Sequence, residues 1–238
     1  FPVLLMDWVE GETLDKFVRS NINKEFALQI VYDNFIKLTH YLLSQSFAHG
    51  DIKPDNIIVK PDREIVLLDY DGVYVPAMYG QKAREIGTPD YQNPNRSISD
   101  FDEHIDDYAL IVICLLLRAV IVDSSKFSYT FDNVNSTIDL IAQNKSDSLL
   151  TKLYAAYLIA LTTTKLDVTI ANLLTSDNSD YDYDRERELK HKASQGDVLS
   201  MKLLGDMYYF GNCVPKDIAK AQQWYDMAYK LGNVDSAC

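Results

Sequence analysis

The residues most able to carry chemistry lie close together in one stretch of the chain. Within residues 49–56 an acid (Asp51) is followed by a lysine (Lys53) and an amide (Asn56), and a second acid, Asp69, comes thirteen residues later. Asn and Asp oxygens suit Mg²⁺, which usually keeps several waters and binds one or two protein groups together with phosphates. A remaining acid can then orient a hydroxyl while a lysine neutralises a phosphoryl group. The set therefore predicts phosphoryl transfer.

Regular elements are predicted on both sides of this stretch, and they must position it. Apolar residues recur at helical spacing from Glu25 to Gln45, which predicts a long helix that ends just before it. Residues 56–60 and 64–68 are two β-rich runs joined by a Pro-Asp-Arg turn, which predicts a hairpin. We therefore expect Asp51 in a helix-to-hairpin loop and Asp69 at the end of the hairpin.

The rest of the first 174 residues is predicted to be mainly helical. Residues 3–9 have an apolar, extended pattern, and residues 13–19 predict a short helix. The Gly- and Pro-containing residues 70–100 predict loops, followed by helices to about Leu174. The apolar run Ala109–Val122 contains one arginine and is too short to span a bilayer, so it predicts a buried helix.

An acidic segment and an internal repeat follow. Residues 175–184 are polar and acidic without an apolar period, which predicts a linker. Beyond it, Gly196-Asp-Val-Leu-Ser200 recurs as Gly232-Asn-Val-Asp-Ser236, an offset of 36 residues with two helical patterns between. A period of this size is typical of a helical-hairpin solenoid. The expected domains are residues 1–174 and, after the linker, residues 185–238.

This C-terminal region resembles the Sel-one-like repeat, a relative of the tetratricopeptide repeats. The resemblance rests on Leu204-Gly-Asp-Met-Tyr-Tyr-Phe-Gly211, Val214-Pro-Lys-Asp, Lys220-Ala and Trp224-Tyr. It implies an α-helical hairpin that binds a protein partner, with further repeats beyond it because about three are needed for stability. Five aromatic residues are expected to pack between the repeat helices: Tyr208, Tyr209, Trp224, Tyr225 and Tyr229.

The composition limits the possible partners and compartment. With 238 residues and 47% hydrophobic side chains, the chain has ample material for a core. A net charge of −12 argues against a nucleic acid or an anionic membrane as partner, since phosphate binding needs a basic face. Three cysteines without a Cys-x-x-Cys pair cannot form a disulfide framework, which favours a reducing, cytoplasmic location.

The stretch around Asp51 resembles the signature of an enzyme family. His49-Gly-Asp-Ile-Lys-Pro-Asp-Asn56 and Asp69-Tyr-Asp-Gly72 resemble the catalytic loop and metal-binding motif of eukaryotic-type serine/threonine protein kinases, including bacterial ones. The resemblance implies Asp51 as catalytic base and Lys53 as the phosphate-contacting lysine. It implies Asn56 and Asp69 as ligands of the Mg²⁺ that accompanies ATP. His49 would pack rather than act as a base.

Other parts of the same family follow in its order. Leu4-Leu-Met-Asp-Trp-Val-Glu-Gly11 resembles the hinge, so the backbones of Asp7 and Val9 would hold the adenine. Gly87-Thr-Pro-Asp-Tyr-Gln-Asn-Pro94 resembles the peptide-positioning segment, in which Thr88 would contact the catalytic acid and lysine. Asp106 would begin the buried helix and accept backbone hydrogen bonds. The implied fold is mainly α: a kinase-like C-terminal lobe with a small β-hairpin, then a helical-hairpin repeat.

The chain also departs from the family pattern. Gly50 replaces the usual Arg, and residues 73–86 contain no Ser or Thr, so switching by phosphoserine or phosphothreonine is not expected there. Asp71 stands where the family has Gly and could share the metal, and Asn95 stands where it has Glu. No Gly-x-Gly-x-x-Gly motif or lysine-bearing strand occurs before the hinge. We therefore expect a fragment without its N-terminal lobe, poorly active by itself.

These features leave three functions open. The leading one is transfer of the ATP γ-phosphate to a Ser or Thr of a protein substrate, which Lys53 and Thr88 favour. The second is a small-molecule kinase of the aminoglycoside/choline type, which Gly50 and Asp71 echo but the Gly-Thr-Pro segment opposes. The third is a pseudokinase scaffold, which the intact Asp51 argues against.

Overall fold

The computed structural model describes residues 8–145, 147–163, 178–210, 214 and 216–234. The chain forms two compact units, residues 1–174 and 175–238. Most of the predicted extended segment at residues 3–9 lies outside the described residues.

The first unit is helical with one small sheet, as the sequence predicted. The helices are α1 (Leu14–Ser20), α2 (Glu25–Leu43), α3 (Asp107–Val122), α4 (Val134–Gln143) and α5 (Ser148–Ala160). The strands are β1 (Glu12–Thr13), β2 (Ile57–Val59) and β3 (Ile65–Leu67). Between β3 and α3 the chain is loop with two short 3₁₀ turns, Pro76–Met78 and Pro89–Tyr91.

The predicted hairpin is confirmed, and the sheet extends beyond it. β2 and β3 pair antiparallel with Ile58 opposite Val66. Arg63 closes the turn in the left-handed region at φ 70°. β1 pairs antiparallel with the other edge of β2, placing Glu12 opposite Val59. The sequence did not predict β1, because a two-residue strand has no measurable period. The sheet thus holds residues 57–67, which connect Asn56 to Asp69.

The core of this unit is built around α3. Every residue of α3 from Asp107 to Val120 is buried, and the helix packs against α2, α4 and α5. Its one arginine, Arg118, is satisfied by Asp147, the N-cap of α5, through an Nη2–Oδ2 distance of 2.7 Å. The same carboxylate accepts the Leu150 amide at 2.7 Å. None of the helices within the described ranges is long and apolar enough to cross a membrane.

The second unit consists of three helices among its described residues: α6 (Asn178–Ser194), α7 (Val198–Phe210) and α8 (Ile218–Val234). The predicted linker at residues 175–184 requires correction, because from Asn178 onward it belongs to α6. Glu186–Lys190 and Glu188–Lys192 pairs at i,i+4 spacing stabilise this polar helix. Leu189 and Ala193 of this helix are buried. A weak apolar period therefore did not mean an absence of helix.

The repeat helices α7 and α8 pack closely, as predicted. Gly205 of α7 lies directly under the Tyr225 ring of α8, whose hydroxyl donates to Asp206 at 2.5 Å. Tyr208 is also buried. The expectation that all the aromatic residues pack between helices is wrong for Tyr209 and Tyr229, which are 42% and 71% exposed.

Candidate active site

The loop that carries Asp51 is anchored from below by the start of α3. Asp106 accepts the backbone N–H of His49 and, at 2.9 Å, that of Gly50. The carboxyl group is almost fully buried, and burial raises its pKa while the two amide hydrogen bonds oppose that shift. The predicted backbone-accepting role of Asp106 is thus present in the structure. It fixes the two residues that immediately precede Asp51.

His49 has the packing role that the sequence predicted. Its side chain is completely buried, and Nε2 lies 2.8 Å from the Leu68 carbonyl oxygen. Its ring lies 4.7 Å from that of Tyr70, the residue that follows Asp69, in a tilted arrangement with 49° between the ring planes. His49 therefore joins the loop to the end of the hairpin and has no free nitrogen directed at the open face.

The Asp51 carboxylate receives donors from three sides. Lys53 Nζ lies 2.7 Å from Oδ2, the Thr88 amide donates to Oδ1 at 2.9 Å, and Asn56 Nδ2 donates to Oδ2 at 3.2 Å. Lys53 Nζ also donates to the Thr88 hydroxyl at 3.1 Å. Four residues that are up to 37 positions apart thus meet at one carboxylate. A group held this firmly is suited to positioning a hydroxyl.

The electrostatics keep this pair charged. Burial alone would raise the pKa of Asp51, but hydrogen bonds from Lys53 and Thr88 outweigh it, so the pKa lies below its ordinary value. The hydrogen bond to Asp51 raises the pKa of Lys53, and the charges of Asp55 and Asp69 add to that effect. At neutral pH the site therefore presents a carboxylate beside an ammonium group.

Asn56 and Asp69 are suited to a divalent cation. The Asn56 amide nitrogen is spent on the Asp51 carbonyl at 2.9 Å and on its carboxylate, which leaves Oδ1 available. Asp69 is exposed, and its backbone has a φ of 66°, a left-handed value that few non-glycine residues adopt. The described residues contain no group of three or more His, Cys, Asp or Glu arranged for a metal ion. A cation would thus rely on these two oxygens, waters and phosphates, as Mg²⁺ does.

Three other predicted positions have less structural support. Asp71 is exposed on the same short loop as Asp69, and no contact distinguishes it as a ligand. Val9 lies half-buried just before β1, whereas Asp7 lies outside the described residues. The adenine-holding role of the Asp7 and Val9 backbones and the sharing of a metal by Asp71 stay predictions.

The segment containing Thr88 is held by residues that the sequence analysis missed. Asn93 donates to the carbonyls of Ala160 at 2.7 Å and Thr163 at 3.0 Å, and Asn95 donates to the Leu161 carbonyl at 2.8 Å. These amides bind the orphan carbonyls at the end of α5. Asn95, which stands where the resembled family has Glu, is thus held by a neutral hydrogen bond. The signal in the sequence that could have indicated this role is the pair of asparagine residues on either side of Pro94, because buried amide side chains are normally hydrogen-bonded.

Glycines allow the loops to approach each other. Gly50 has a φ of 90°, and a Cβ there would overlap the carbonyl of Gly72. Gly87, at φ 87°, lies so close to Asp51 and Gln92 that a Cβ would reach 2.9 Å from Asp51 Oδ1. Next to the close approach of Gly50 to Gly72, Ala48 and Tyr74 form an antiparallel β-bridge. The catalytic-loop candidate is therefore packed backbone to backbone against the two segments that follow it.

Comparisons with known proteins agree with this geometry. The protein kinase domain profile matches residues 2–179, and the Sel1 repeat profile matches residues 198–233. The interferon-induced, double-stranded RNA-activated protein kinase of Rattus norvegicus is 28% identical over 149 residues, covering 60% of this chain and 29% of that protein.

Two bacterial relatives are also similar. The serine/threonine-protein kinase PknA of Nostoc sp. is 36% identical over 72 residues, covering 29% of this chain and 13% of the relative. The serine/threonine-protein kinase PknD of Chlamydia felis is 30% identical over 140 residues, covering 45% of this chain and 15% of the relative. The chain thus spans less than a third of the length of each of these relatives.

Proposed function

This chain belongs to the protein kinase family and carries a Sel1 repeat, and we propose that its protein transfers the γ-phosphate of ATP to a Ser or Thr hydroxyl of another protein. The observation that carries the proposal is the meeting of Asp51, Lys53 and Thr88. A threonine that binds both the acid and the lysine ties the acceptor-side segment directly to the reacting centre. Similarity to kinases named for Ser/Thr specificity adds support.

Asp51 acts chiefly by orienting the acceptor hydroxyl. Its lowered pKa makes it a weak base, so it accepts the hydroxyl proton only as the new P–O bond forms, which suits a loose phosphoryl-transfer transition state. Lys53, 2.7 Å away, places a positive charge where negative charge accumulates on the transferred group. Thr88 holds both side chains in this arrangement.

Asn56 and Asp69 would hold the metal that accompanies the nucleotide. When bound, Mg²⁺–ATP supplies the phosphoryl group and neutralises the charge of its phosphates. The residues of this chain contribute the two oxygens and the fixed backbone that presents them. Asn56 does so while its amide nitrogen also holds Asp51, which links metal binding to acid placement.

We assign protein binding to the Sel1 repeat and a cytoplasmic location to the protein. Paired helices such as α7 and α8 stack into extended protein-binding surfaces in solenoids. Three cysteines without paired spacing support a reducing compartment. A net charge of −12 opposes binding to nucleic acid.

The direct test of the proposed function is to identify which class of acceptor receives the phosphate. The full-length protein is incubated with Mg²⁺ and γ-labelled ATP, and it is offered a generic Ser/Thr protein, an aminoglycoside and choline in parallel. We expect label on serine or threonine of the protein acceptor only, identified by phosphoamino-acid analysis. Label on a small hydroxyl acceptor would identify a small-molecule kinase instead. Nucleotide binding without transfer to any acceptor would favour a scaffold.

A further inference from the structure

A buried arginine lies directly behind the site, and neither the motif nor the mechanism accounts for it. Arg96 follows the Thr88 segment and is only 8% exposed. Its Nη1 donates to the Gln92 side-chain oxygen and, at 3.1 Å, to the Ile86 carbonyl. Its Nε donates to the Asp100 carbonyl at 3.4 Å. One guanidinium thus donates to oxygen atoms of Ile86, Gln92 and Asp100, which lie before, within and after the segment that contains Thr88.

Gln92 extends this cluster to the catalytic loop. It is 3% exposed, and its Nε2 donates to the Gly50 carbonyl at 3.3 Å. Gly50 is the residue before Asp51, and its N–H is one of the two that Asp106 accepts. The chain of hydrogen bonds therefore runs from Arg96 through Gln92 to the peptide that carries the catalytic acid.

A buried guanidinium is costly unless its donors are used. Burial lowers the pKa of Arg96, and the charges of Asp106 and Asp100 oppose that shift. The fixed fork of an arginine suits several carbonyls at once, which a lysine cannot match. The charged Arg96 side chain therefore links the loop that carries Asp51 to the segment that contains Thr88 by hydrogen bonds within the protein.

The backbone conformation of Gly50 explains why the residue beside Asp51 cannot itself supply such a link. A side chain there would overlap the Gly72 carbonyl, and its backbone is left-handed. An arginine beside Asp51 that could bind a phosphorylated loop is therefore sterically excluded. Residues 73–86 also contain no Ser or Thr to carry such a phosphate.

We propose that Arg96, acting through Gln92, is a positioning residue that holds the catalytic loop against the Thr88 segment without any phosphate. The inference rests on the proposed kinase function for its effect on rate, whereas the link itself is a property of the fold. Arg96 touches no reacting atom. Its hydrogen bonds reach Asp51 through Gln92 and the Gly50 peptide.

The test uses full-length protein treated with a phosphatase and shown by mass spectrometry to be free of phosphate. Arg96→Met removes the guanidinium at similar length, and Arg96→Lys keeps the charge without the fork. Gln92→Leu keeps the guanidinium but removes both its Gln92 acceptor and the donor to Gly50. Arg84→Met is the matched control, because Arg84 is an exposed arginine of the same segment. Readouts are hydrogen exchange of peptides covering residues 46–56 and 84–95, nucleotide Kd, and kcat and KM for the protein acceptor.

We expect the phosphate-free wild type to be active and protected from exchange in both peptides. Arg96→Met should raise exchange in both peptides and lower kcat/KM for the acceptor about 10- to 100-fold, since misplacement by about 1 Å costs up to that factor. Nucleotide Kd should stay within about twofold. Arg96→Lys should be intermediate, and Gln92→Leu should loosen mainly residues 46–56.

Two results would overturn the inference. One is Arg96→Met and Gln92→Leu matching Arg84→Met in exchange. The other is a wild type whose exchange protection or activity disappears with its phosphate. If the wild type transfers phosphate to no acceptor, the proposed function fails, and the exchange data still decide whether the link exists.

Discussion

Asp106→Asn is the substitution that most directly probes how the fold holds the loop that carries Asp51. In the wild type one carboxylate oxygen accepts the His49 N–H and the other accepts the Gly50 N–H at 2.9 Å. Asparagine offers one acceptor oxygen, so its NH₂ group must face one of these two amides. The substitution therefore leaves a buried backbone donor without an acceptor.

The magnitude follows from that single lost bond. A hydrogen bond to a charged group contributes about 1.5–3 kcal/mol, and an unsatisfied buried donor costs about 1–3 kcal/mol. Burial disfavours the charged form of Asp106. Because asparagine is neutral, the variant avoids this penalty, which offsets part of the cost. We expect a net loss of about 2–4 kcal/mol in the free energy of unfolding, a large share of the 5–15 kcal/mol typical of a domain.

The assay combines urea unfolding, followed by circular dichroism, with hydrogen exchange of the peptide that covers residues 46–56. We expect exchange there to accelerate about 30- to 700-fold, the same free energy expressed as a ratio. Asp139→Asn is the matched control, because Asp139 is an exposed acid on α4 and such changes stay within about 0.5 kcal/mol. An Asp106→Asn protein as stable and as protected as this control would refute the anchoring role.

Three further predictions follow from local geometry. Asp147→Ala should cost about 3–5 kcal/mol by urea unfolding, because it removes the carboxylate that pairs with the buried Arg118. Asp147→Asn, which keeps the cap acceptor, should cost less. Burial raises the pKa of Asp147, but the hydrogen bond from Arg118 outweighs burial, so the pKa lies below its ordinary value. The stability cost of Asp147→Asn should therefore be constant from pH 5 to 8 and shrink below about pH 4, where wild-type Asp147 becomes protonated. Urea titrations at each pH measure this cost. Gly50→Ala should lower both the thermal midpoint and the transfer rate, because a left-handed residue gains a Cβ that overlaps a neighbouring carbonyl; an unchanged midpoint would contradict this. Gly205→Ala should destabilise the repeat by calorimetry despite alanine's advantage of about 1 kcal/mol in a helix, because its Cβ would overlap the Tyr225 ring; a stabilised repeat would contradict the packing.

The sequence predicted the elements whose signals are local. The period of α2 and the turn between β2 and β3 are short-range patterns, and both elements are present. The spacing from Asp51 to Asn56 is similarly a property of one loop. Short motifs thus identified the candidate site residues before any geometry was available.

What the sequence could not predict depends on contacts between distant segments. The pairing of β1 with β2 and the bonds from Asn95 to the end of α5 join residues that are far apart in the chain. The network from Arg96 to Gly50 is of the same kind, with no periodic or compositional signal. α6 was missed for another reason, because its stability comes from i,i+4 charge pairs rather than from an apolar stripe.

In the proposed function, Asp51 positions the acceptor hydroxyl for phosphoryl transfer to protein Ser or Thr. The most direct measurement compares full-length wild type with Asp51→Asn for the rate of label transfer from γ-labelled ATP and for nucleotide Kd. We expect the Asp51→Asn rate to be lower by roughly 10²–10⁴ with nearly unchanged nucleotide affinity, because Asp51 is not among the residues proposed to hold the metal and nucleotide. Label transfer by Asp51→Asn at the wild-type rate would show that Asp51 does not position the acceptor.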